Sequence, residues 1–579
     1  MRQSTATATK IGKSTQCLLA LALLAMLSGC VALGGGNPPP QSTNTTPAAN
    51  PAANTPPPPP PPAVGPPVPP TPPPPTSPPP VAGDISSVKH IIFMLQENRS
   101  FDSYFGKLND YIGSQAVDGI PSLSTTSCDA LHGCNFDLAG NPFAMFHLQT
   151  ACIDNMDPDW LPAHGDFNLY HPGSNEPLLD GFAKNAGVTG EFGSSTGESG
   201  SASTAIPSTT TFRLMTAQGK VLATVTVPTD GSAPSSTTTD PKITLTASPT
   251  TTEPGGTVTV NWDAPGFSNL AVTIYYDTLG HRVMGYYDSS DIPYYYFMAK
   301  NFATSDRWFS PMMGNSPPNR VFAFAATTHG HAHNPGTMPV PSIWHELQDA
   351  GISWKIYYND KDPTTGGPAT TLNHWHSFVL ANIDHLVPMS QYFTDVQNGT
   401  LPAVAFIEQK SGFDDHPGSK INIQNGTKFV SSIVNALMAS QSWKDSVFIL
   451  TFDENGGLFD HVSPQPMPSP DGIAPTDLLP QDIQDINPPA DFTVTGFRVP
   501  MLVISPFTRK GFVSHTVADN TAILKFIETR FKLPNLTARD AYQMDMQEFF
   551  DFANPPWLTP PAGIPSQPTN LPCDPTLLP

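Results

Sequence analysis

The sequence is poor in basic residues. Its 579 residues include 27 Lys and Arg against 48 Asp and Glu, which gives a formal net charge of −21. Because no cluster of Lys and Arg is present, nucleic acid is not an expected partner. Cysteine is also scarce, with six residues and no Cys-x-x-Cys spacing that would indicate a zinc site.

Residues 1–30 are typical of an export signal. Basic residues precede an apolar stretch at 17–26, which is too short to cross a membrane comfortably. The stretch ends in Leu-Ser-Gly-Cys, which resembles the lipobox of bacterial lipoproteins, so Cys30 is expected to carry lipid. We therefore expect a protein exported and lipid-anchored to a bacterial membrane, periplasmic or at the cell surface. Ordinary secretion is the alternative.

Proline is abundant, with 68 residues, and it dominates the sequence between about 37 and 80. Proline lacks an amide donor and has a fixed φ, so such a segment favours extended polyproline II structure over helix or sheet. We interpret 31–83 as a Pro-rich, disordered stalk that holds the folded body away from a membrane or wall. A proline-rich ligand for a partner is the alternative.

The body of the protein, 84–194 and 278–579, alternates apolar runs with helical patterns. This alternation predicts a mainly parallel sheet between two helical layers, an α/β/α core. The segments predicted as strands are 90–95, 320–326, 354–358, 403–407, 447–452 and 500–504, and those predicted as helices are 341–350, 427–440 and 522–531.

Residues 195–277 interrupt this pattern. They contain Ser, Gly and Thr and then short alternating strands separated by turn residues, which predicts an all-β module. The stretch KITLTASPTTTEPGGTVTVNW, 242–262, resembles bacterial immunoglobulin-like modules. We interpret the segment as an insertion, whose role could be adhesion, spacing or that of a lid.

Four cysteines remain beyond the signal and the proposed lipid attachment site. In an exported protein they can form disulfides, and three pairings are open. Cys128 with Cys134 closes the shortest loop, and Cys152 with Cys573 would then join the tail to the body.

Two of the predicted strands end in adjacent polar residues. Glu97 and Asn98 follow the first strand, and Asp453 and Glu454 follow the strand at 447–452. Sites in open α/β folds form at the carboxyl ends of strands, and these oxygen ligands suit a divalent cation. The alternative is that each pair only caps a turn.

A candidate nucleophile follows the predicted strand at 320–326. Thr327 and Thr328 lie there, and a threonine hydroxyl needs a metal or a base to become a nucleophile. His329, His331 and His333 follow directly and could instead form a zinc ligand set.

Five motifs occur in order along the body. They are ENRSFDSYFG at 97–106, MGYYDSSDIPYYYFMAKNFATSDRWF at 284–309, PPNRVFAFAATTHG at 317–330, GFDDHPG at 412–418 and TFDENGGLFDHV at 451–462. This set resembles the bacterial phosphoesterase family that unites phosphatidylcholine-type phospholipases C with some periplasmic acid phosphatases. The resemblance implies an alkaline-phosphatase-like core.

The resemblance also implies roles for particular residues. One divalent metal ion (Ca, Mg, Mn or Zn) would be bound by four side chains: Glu97, Asn98, Asp453 and Glu454. Thr327 would be the nucleophile and form a phospho-threonine, with Thr328 as the alternative.

The resemblance assigns further roles to histidines. His416 would contact the phosphate or protonate the leaving group. His164 would fill a second histidine role, although Trp160 stands where some members of the family have histidine. Asp460 and His461 match the family motif and would hold the metal loop or take part directly.

The sequence thus predicts a metal-dependent hydrolase of phosphate esters. The preferred function is that of a phospholipase C acting on phospholipid headgroups. An acid phosphatase on small phosphate monoesters and a surface binding or adhesion protein that uses the β insert are the alternatives. Aromatic residues at 287 and 294–297 could bind a choline headgroup by cation–π contact, but a place in the core is the favoured interpretation.

Overall fold

The computed structural model describes residues 83–168, 177–186, 193–206, 209–216, 221–275, 277, 279–418, 421–479, 482, 491–574 and 577–578. The predicted export signal, the lipid attachment site Cys30 and the stalk up to residue 82 lie outside the described residues. These features stay predictions.

Twelve α-helices are formed by the described residues. In chain order they are α1 Phe101–Phe105, α2 Leu108–Ile112, α3 Trp160–Asn168, α4 Phe182–Ala186, α5 Pro293–Asn301, α6 Ser316–Ala325, α7 Ile343–Asp349, α8 His376–Ala381, α9 Met389–Asn398, α10 Ile423–Met438, α11 Ala522–Phe531 and α12 Ala538–Tyr542.

The same residues form 22 strands. They are β1 His90–Gln96, β2 Cys134–Phe136, β3 Pro142–Ala144, β4 Phe146–His147, β5 Gly193–Ser195, β6 Ser199–Ile206, β7 Thr210–Met215, β8 Val221–Val227, β9 Ser235–Thr238, β10 Thr244–Ser248, β11 Gly256–Asp263, β12 Leu270–Tyr275, β13 Gly285–Tyr286, β14 Ala303–Ser305, β15 Trp308–Phe309, β16 Trp354–Tyr358, β17 Leu386–Pro388, β18 Val404–Ile407, β19 Ser446–Phe452, β20 Met501–Ile504, β21 Phe512–Ser514 and β22 Ala518–Asp519.

The core is an eight-stranded sheet in the order β17-β16-β18-β1-β19-β20-β14-β21. Neighbours from β17 to β19 run parallel, and β20 is antiparallel to both of its neighbours. β1 lies at the centre, with all but its first residue buried. The predicted α/β fold with a mainly parallel sheet is confirmed.

Helices cover both faces of this sheet, as side chains of β16 show. Trp354 packs against Trp344 of α7, with ring centroids 5.4 Å apart. Tyr357 lies three residues further along the strand and packs against Tyr392 of α9, also at 5.4 Å. Because side chains alternate between the faces of a strand, α7 and α9 lie on opposite sides.

The strand predicted at 320–326 is wrong, because these residues lie in and directly after α6. An apolar run of this length does not distinguish a buried strand from a buried helix. Pro317 provides the signal for the helix, since proline is favoured in the first turn, where its missing amide is not needed. Thr327 therefore follows a helix, whereas the other predicted strands of the core are strands.

The described residues between 193 and 275 are all in strands, turns or irregular segments. They form a five-stranded sheet, β5-β12-β7-β8-β9, and a three-stranded sheet, β10-β11-β6. Side chains of both sheets share one apolar cluster, separate from the main core, in which Trp262, Phe212 and Val258 are buried. The immunoglobulin-like character of this segment stays a prediction.

Two disulfides tie down the body. Cys128 bonds to Cys134, and Cys152 bonds to Cys573, so the tail is joined to the segment before α3. Of the three pairings open to the four cysteines, this is the one in which Cys128 and Cys134 close the shortest loop. Within the described part of the chain, no helix is long and apolar enough to cross a membrane.

Candidate active site

Three neighbouring parallel strands end in carboxylates at the same edge of the sheet. Glu97 and Asn98 follow β1, Asp453 and Glu454 follow β19, and the register pairs Gln96 with Phe452 at the last position before each pair. A third acid, Glu408, follows β18 and is 4% exposed, and it was not among the predicted ligands. The same pattern, an apolar strand followed by an acid, could have identified it.

Arg320 of α6 joins these three strand ends. Its Nε donates to Asp453 Oδ2 at 2.8 Å, and its side chain also forms ion pairs with Glu97 at 3.2 Å and Glu408 at 3.7 Å. Arg320 is buried with these acids and carries one positive charge against three carboxylates. It therefore neutralises only part of the acidic cluster. Arg320 was not among the predicted site residues.

The electrostatics of the cluster favour an additional cation. Burial and the charge of Asp453 raise the pKa of Glu454 well above its ordinary value. Burial raises the pKa of Glu97 to about 8, although Arg320 opposes that shift. Glu454 Oε1 is buried without a hydrogen-bond partner.

The oxygen donors and the incomplete neutralisation fit a divalent cation. Glu97, Asn98, Asp453 and Glu454 would hold it. Arg320 already forms ion pairs with two of these four side chains, Glu97 at 3.2 Å and Asp453 at 2.8 Å.

The backbone at Asn98 is unusual. Its φ is 60°, a left-handed conformation that few non-glycine residues adopt and that asparagine tolerates better than most. Gly456 approaches it so closely that a Cβ there would lie 2.8 Å from the Cβ of Asn98. The loop after β19 is therefore shaped around Asn98.

Ser316, at the first position of α6, contacts one of the predicted metal ligands. Its Oγ donates to Asn98 Oδ1 at 3.0 Å. The preceding turn is held by Asn319, whose side chain donates to Gly314 O at 2.8 Å and accepts from Met312 N at 3.0 Å. The amino end of a helix carries partial positive charge, which favours a phosphate beside Ser316.

The structure does not bring Thr327 to this cluster. α6 is ten residues long, so its two ends are about 15 Å apart. Thr327 lies past the far end, where its Oγ1 donates to Asp471 Oδ2 at 2.6 Å. The alternative, Thr328, is buried with its hydroxyl unpartnered. Ser316, which the sequence analysis missed, takes the place predicted for Thr327.

His416 lies on a loop that packs against the end of β1. Its ring Nδ1 donates to Pro417 O at 2.7 Å, so Nε2 is the nitrogen left for substrate. Burial lowers the pKa of His416, and the charges of Asp414 and Asp453 oppose that shift. His416 is therefore close enough to Asp453 for their charges to interact.

His164 has a different environment. It lies in α3, 4% exposed, with Nδ1 donating to Trp160 O at 2.6 Å. Burial lowers its pKa to about 4, and the acids that oppose this shift are Asp482 and Asp491. None of the residues at the strand ends contributes, so no contact of His164 supports a place beside them.

Asp460 and His461 belong to a buried ion-pair network. His461 Nδ1 pairs with Asp102 Oδ2 at 2.7 Å, while Arg498 joins Asp102 at 3.0 Å and Asp460 at 2.8 Å. Asp102 lies in α1, just after Glu97 and Asn98, and Asp460 lies after Asp453 and Glu454. The network therefore ties together the two segments that carry the candidate metal ligands.

The three histidines after Thr328 do not share a target. His331 pairs with Asp477 at 3.0 Å, and His333 lies between Asp159 at 3.0 Å and Asp482 at 2.7 Å. Of the described His, Cys, Asp and Glu residues, those whose donor atoms converge in threes are Asp102, Asp460 and His461, and also His147, Asp288 and Asp291.

The tyrosines considered for a choline site are part of the core. Tyr287, Tyr294, Tyr295 and Tyr296 are each at most 1% exposed. The favoured interpretation of these residues is confirmed.

Known proteins resemble this chain over most of the body. Residues 256–534 match the model of the phosphoesterase family. Phospholipase C B of Mycobacterium tuberculosis is 26% identical over 524 residues, which cover 82% of this chain and 80% of that protein. Non-specific phospholipase C4 of Arabidopsis thaliana is 31% identical over 292 residues, which cover 46% and 50%. The resemblance predicted from the motifs is confirmed.

Two solved structures also align. A protein of the alkaline phosphatase superfamily from Vibrio parahaemolyticus covers 44% of this chain and 64% of its own, with a TM-score of 0.28 and 11% identity. The lipoteichoic acid synthase of Listeria monocytogenes covers 46% and 70%, with a TM-score of 0.26 and 12% identity.

Proposed function

We propose that this chain, whose residues 256–534 match the model of the phosphoesterase family, is a metal-dependent phospholipase C that uses Ser316 as its nucleophile. The observation that carries the proposal is the hydrogen bond from Ser316 Oγ to Asn98 at the edge where three strands end in carboxylates. The prediction of a phospho-threonine at Thr327 is not carried forward, because α6 separates Thr327 from that edge.

A divalent cation held by the side chains of the two strand ends would supply positive charge that favours the ionised hydroxyl of Ser316 and offsets the charge of the phosphate. The chain contributes the rest of the positive field. Arg320 lies one helical turn after Ser316 on the same face of α6, and the amino end of the helix points to the same place.

The reaction proceeds in two displacements. In the first, Ser316 Oγ forms a bond to phosphorus as the bond from phosphorus to the glycerol oxygen breaks. The proton of Ser316 passes to solvent, and His416 Nε2 protonates the departing oxygen. In the second, water attacks the phosphoserine and gives one proton to His416. The released serine oxygen takes a proton from solvent, and the phosphorylated headgroup leaves.

The proposed substrate is a phospholipid, which the names of the relatives support. The test compares phosphatidylcholine with a p-nitrophenyl phosphate monoester, with and without a chelator. We expect release of phosphocholine that stops with chelator and returns on adding a divalent metal. Activity on the monoester alone would establish the acid phosphatase instead, and chelator-resistant activity would exclude the metal.

A further inference from the structure

The loop that carries His416 is held at three successive backbone carbonyls by the segment that ends β1. The donors are two side chains and one amide. The bonds are Gln96 Nε2 to Phe413 O at 3.0 Å, Glu97 N to Asp414 O at 2.7 Å, and Arg99 Nε to Asp415 O at 2.8 Å. A short segment next to Glu97 and Asn98 thus fixes the register of the turn that immediately precedes His416.

The turn is constrained from its other side as well. Asp415 has a φ of 70°, a left-handed conformation that few non-glycine residues adopt and that aspartate tolerates better than most. Its carboxylate is packed against Gly426 of α10, where a Cβ would lie 1.8 Å from Asp415 Oδ1. Because Gly426 has no side chain, the turn can lie between α10 and Arg99.

Arg99 is a costly residue for a structural role alone. It is fully buried, yet both terminal nitrogens of its guanidinium lack hydrogen-bond partners. The guanidinium lies over Tyr104 and Tyr287, 5.6 and 6.0 Å from the ring centroids. Two buried guanidinium nitrogens without hydrogen bonds reduce stability, which is unexpected for an arginine whose role is packing alone.

We propose that Arg99 is a positioning residue for His416, acting through the carbonyl of Asp415. The hydrogen bond from Arg99 Nε to Asp415 O fixes the turn, and the turn positions the His416 ring. Nδ1 of that ring donates to Pro417 O. Nε2 is thereby aimed at the leaving oxygen. This inference rests on the proposed function, in which His416 protonates the leaving group.

The test uses the dependence of rate on the leaving group. The p-nitrophenolate group of p-nitrophenyl phosphocholine departs without being protonated. The glycerol oxygen of a short-chain phosphatidylcholine must be protonated as it departs. We expect Arg99→Met to lower kcat/KM about 100-fold for the phosphatidylcholine and less than about threefold for the p-nitrophenyl ester, as His416→Asn should. The ratio kcat/KM is the one to compare, because it reports the steps up to departure of the leaving group and not the later hydrolysis of the phosphoserine, which the two substrates share. Arg99→Lys, which can still donate to the carbonyl, should recover part of the lost rate.

Controls separate positioning from folding. Arg282→Lys alters another fully buried arginine, which contacts the carbonyls of residues 154, 155 and 186 rather than the loop, and it should show no leaving-group selectivity. If Arg99→Met does not fold, Gly426→Ala provides a second variant, because it presses on Asp415 from the other side. It should show the same selective loss.

Two outcomes would count against different claims. If His416→Asn shows no selectivity for leaving group, the proposed role of His416 is wrong. If His416→Asn is selective but folded Arg99→Met slows both esters equally, or neither, the role of Arg99 is wrong. In the double variant, Arg99→Met should cause no further loss with phosphatidylcholine once His416 is absent.

Discussion

The two ends of α6 carry hydroxyl groups in opposite chemical settings. Ser316 at the amino end meets Asn98, and Arg320 on the next turn joins the acids of the strand ends. Thr327, past the carboxyl end, donates to Asp471 across a loop and accepts from the amide of His329. The amino end of a helix attracts a phosphate and the carboxyl end repels it, so the same helix favours chemistry at one end alone.

The strongest test of this comparison is to remove each hydroxyl. Ser316→Ala should lower kcat by about 10⁴-fold or more, because it removes the atom that bonds to phosphorus. Thr327→Ala should stay within about threefold of the unchanged protein. The measurement is hydrolysis of phosphatidylcholine, together with acid-quench trapping of the phosphoenzyme on ³²P-labelled substrate. If the Ser316→Ala protein still formed the phosphoenzyme, Ser316 would not be the nucleophile.

A smaller effect is expected when a carboxylate near each end of α6 is neutralised. Glu454→Gln should weaken divalent-cation binding at least about 30-fold, since it neutralises a buried ligand with an unpartnered oxygen. Asp471→Asn, the matched change beside Thr327, should leave cation binding unchanged. Titration calorimetry on metal-free protein measures both. Equal weakening by the two changes would mean that the strand ends are not the cation site.

Local sequence was sufficient to predict the strand ends. β1 and β19 are buried runs that stop at polar pairs, and that pattern depends only on neighbours along the chain. The same reasoning would have identified Glu408 after β18. Most of the core elements were predictable for the same reason, because buried strands and amphipathic helices have short-range periodicities.

The proposed nucleophile, Ser316, could not be predicted in this way. Residues 320–326 have an apolar composition that suits either a strand or a helix. If they formed a strand, Thr327 would follow its carboxyl end and face the site. Because they lie in and directly after α6, Ser316 at the amino end of the helix faces it instead. Which end of α6 reaches Asn98 depends on the packing of α6 against the sheet. That packing is a contact between residues more than 200 positions apart, and no short motif contains it.

His164 offers a test in which stability, not chemistry, should change. Burial holds its pKa at about 4 in the folded protein, below the ordinary value near 6.5. The unfolded chain therefore binds a proton between these values that the folded protein does not, so stability falls as pH falls through that window.

We expect His164→Gln to remove up to about 3 kcal/mol of the decrease in unfolding free energy between pH 7 and pH 4. Urea unfolding at both pH values measures it. Because His164 contacts Trp160 and not the amino end of α6, activity at pH 7 should change only a few-fold. A loss of kcat comparable with that of His416→Asn would place His164 in the active site after all.

The smallest expected effect concerns the hydrogen bond at the carboxyl end of α6. Thr327→Val keeps the shape of the side chain but removes the donor to Asp471, so it should cost about 1 kcal/mol of unfolding free energy. In a Thr327→Val and Asp471→Asn double-variant cycle, the two losses should be less than additive, because they share one bond. Urea unfolding measures the free energies, and kcat should stay constant throughout. If kcat fell in step with stability, Thr327 would influence the site through α6, and the two ends of the helix would not be independent.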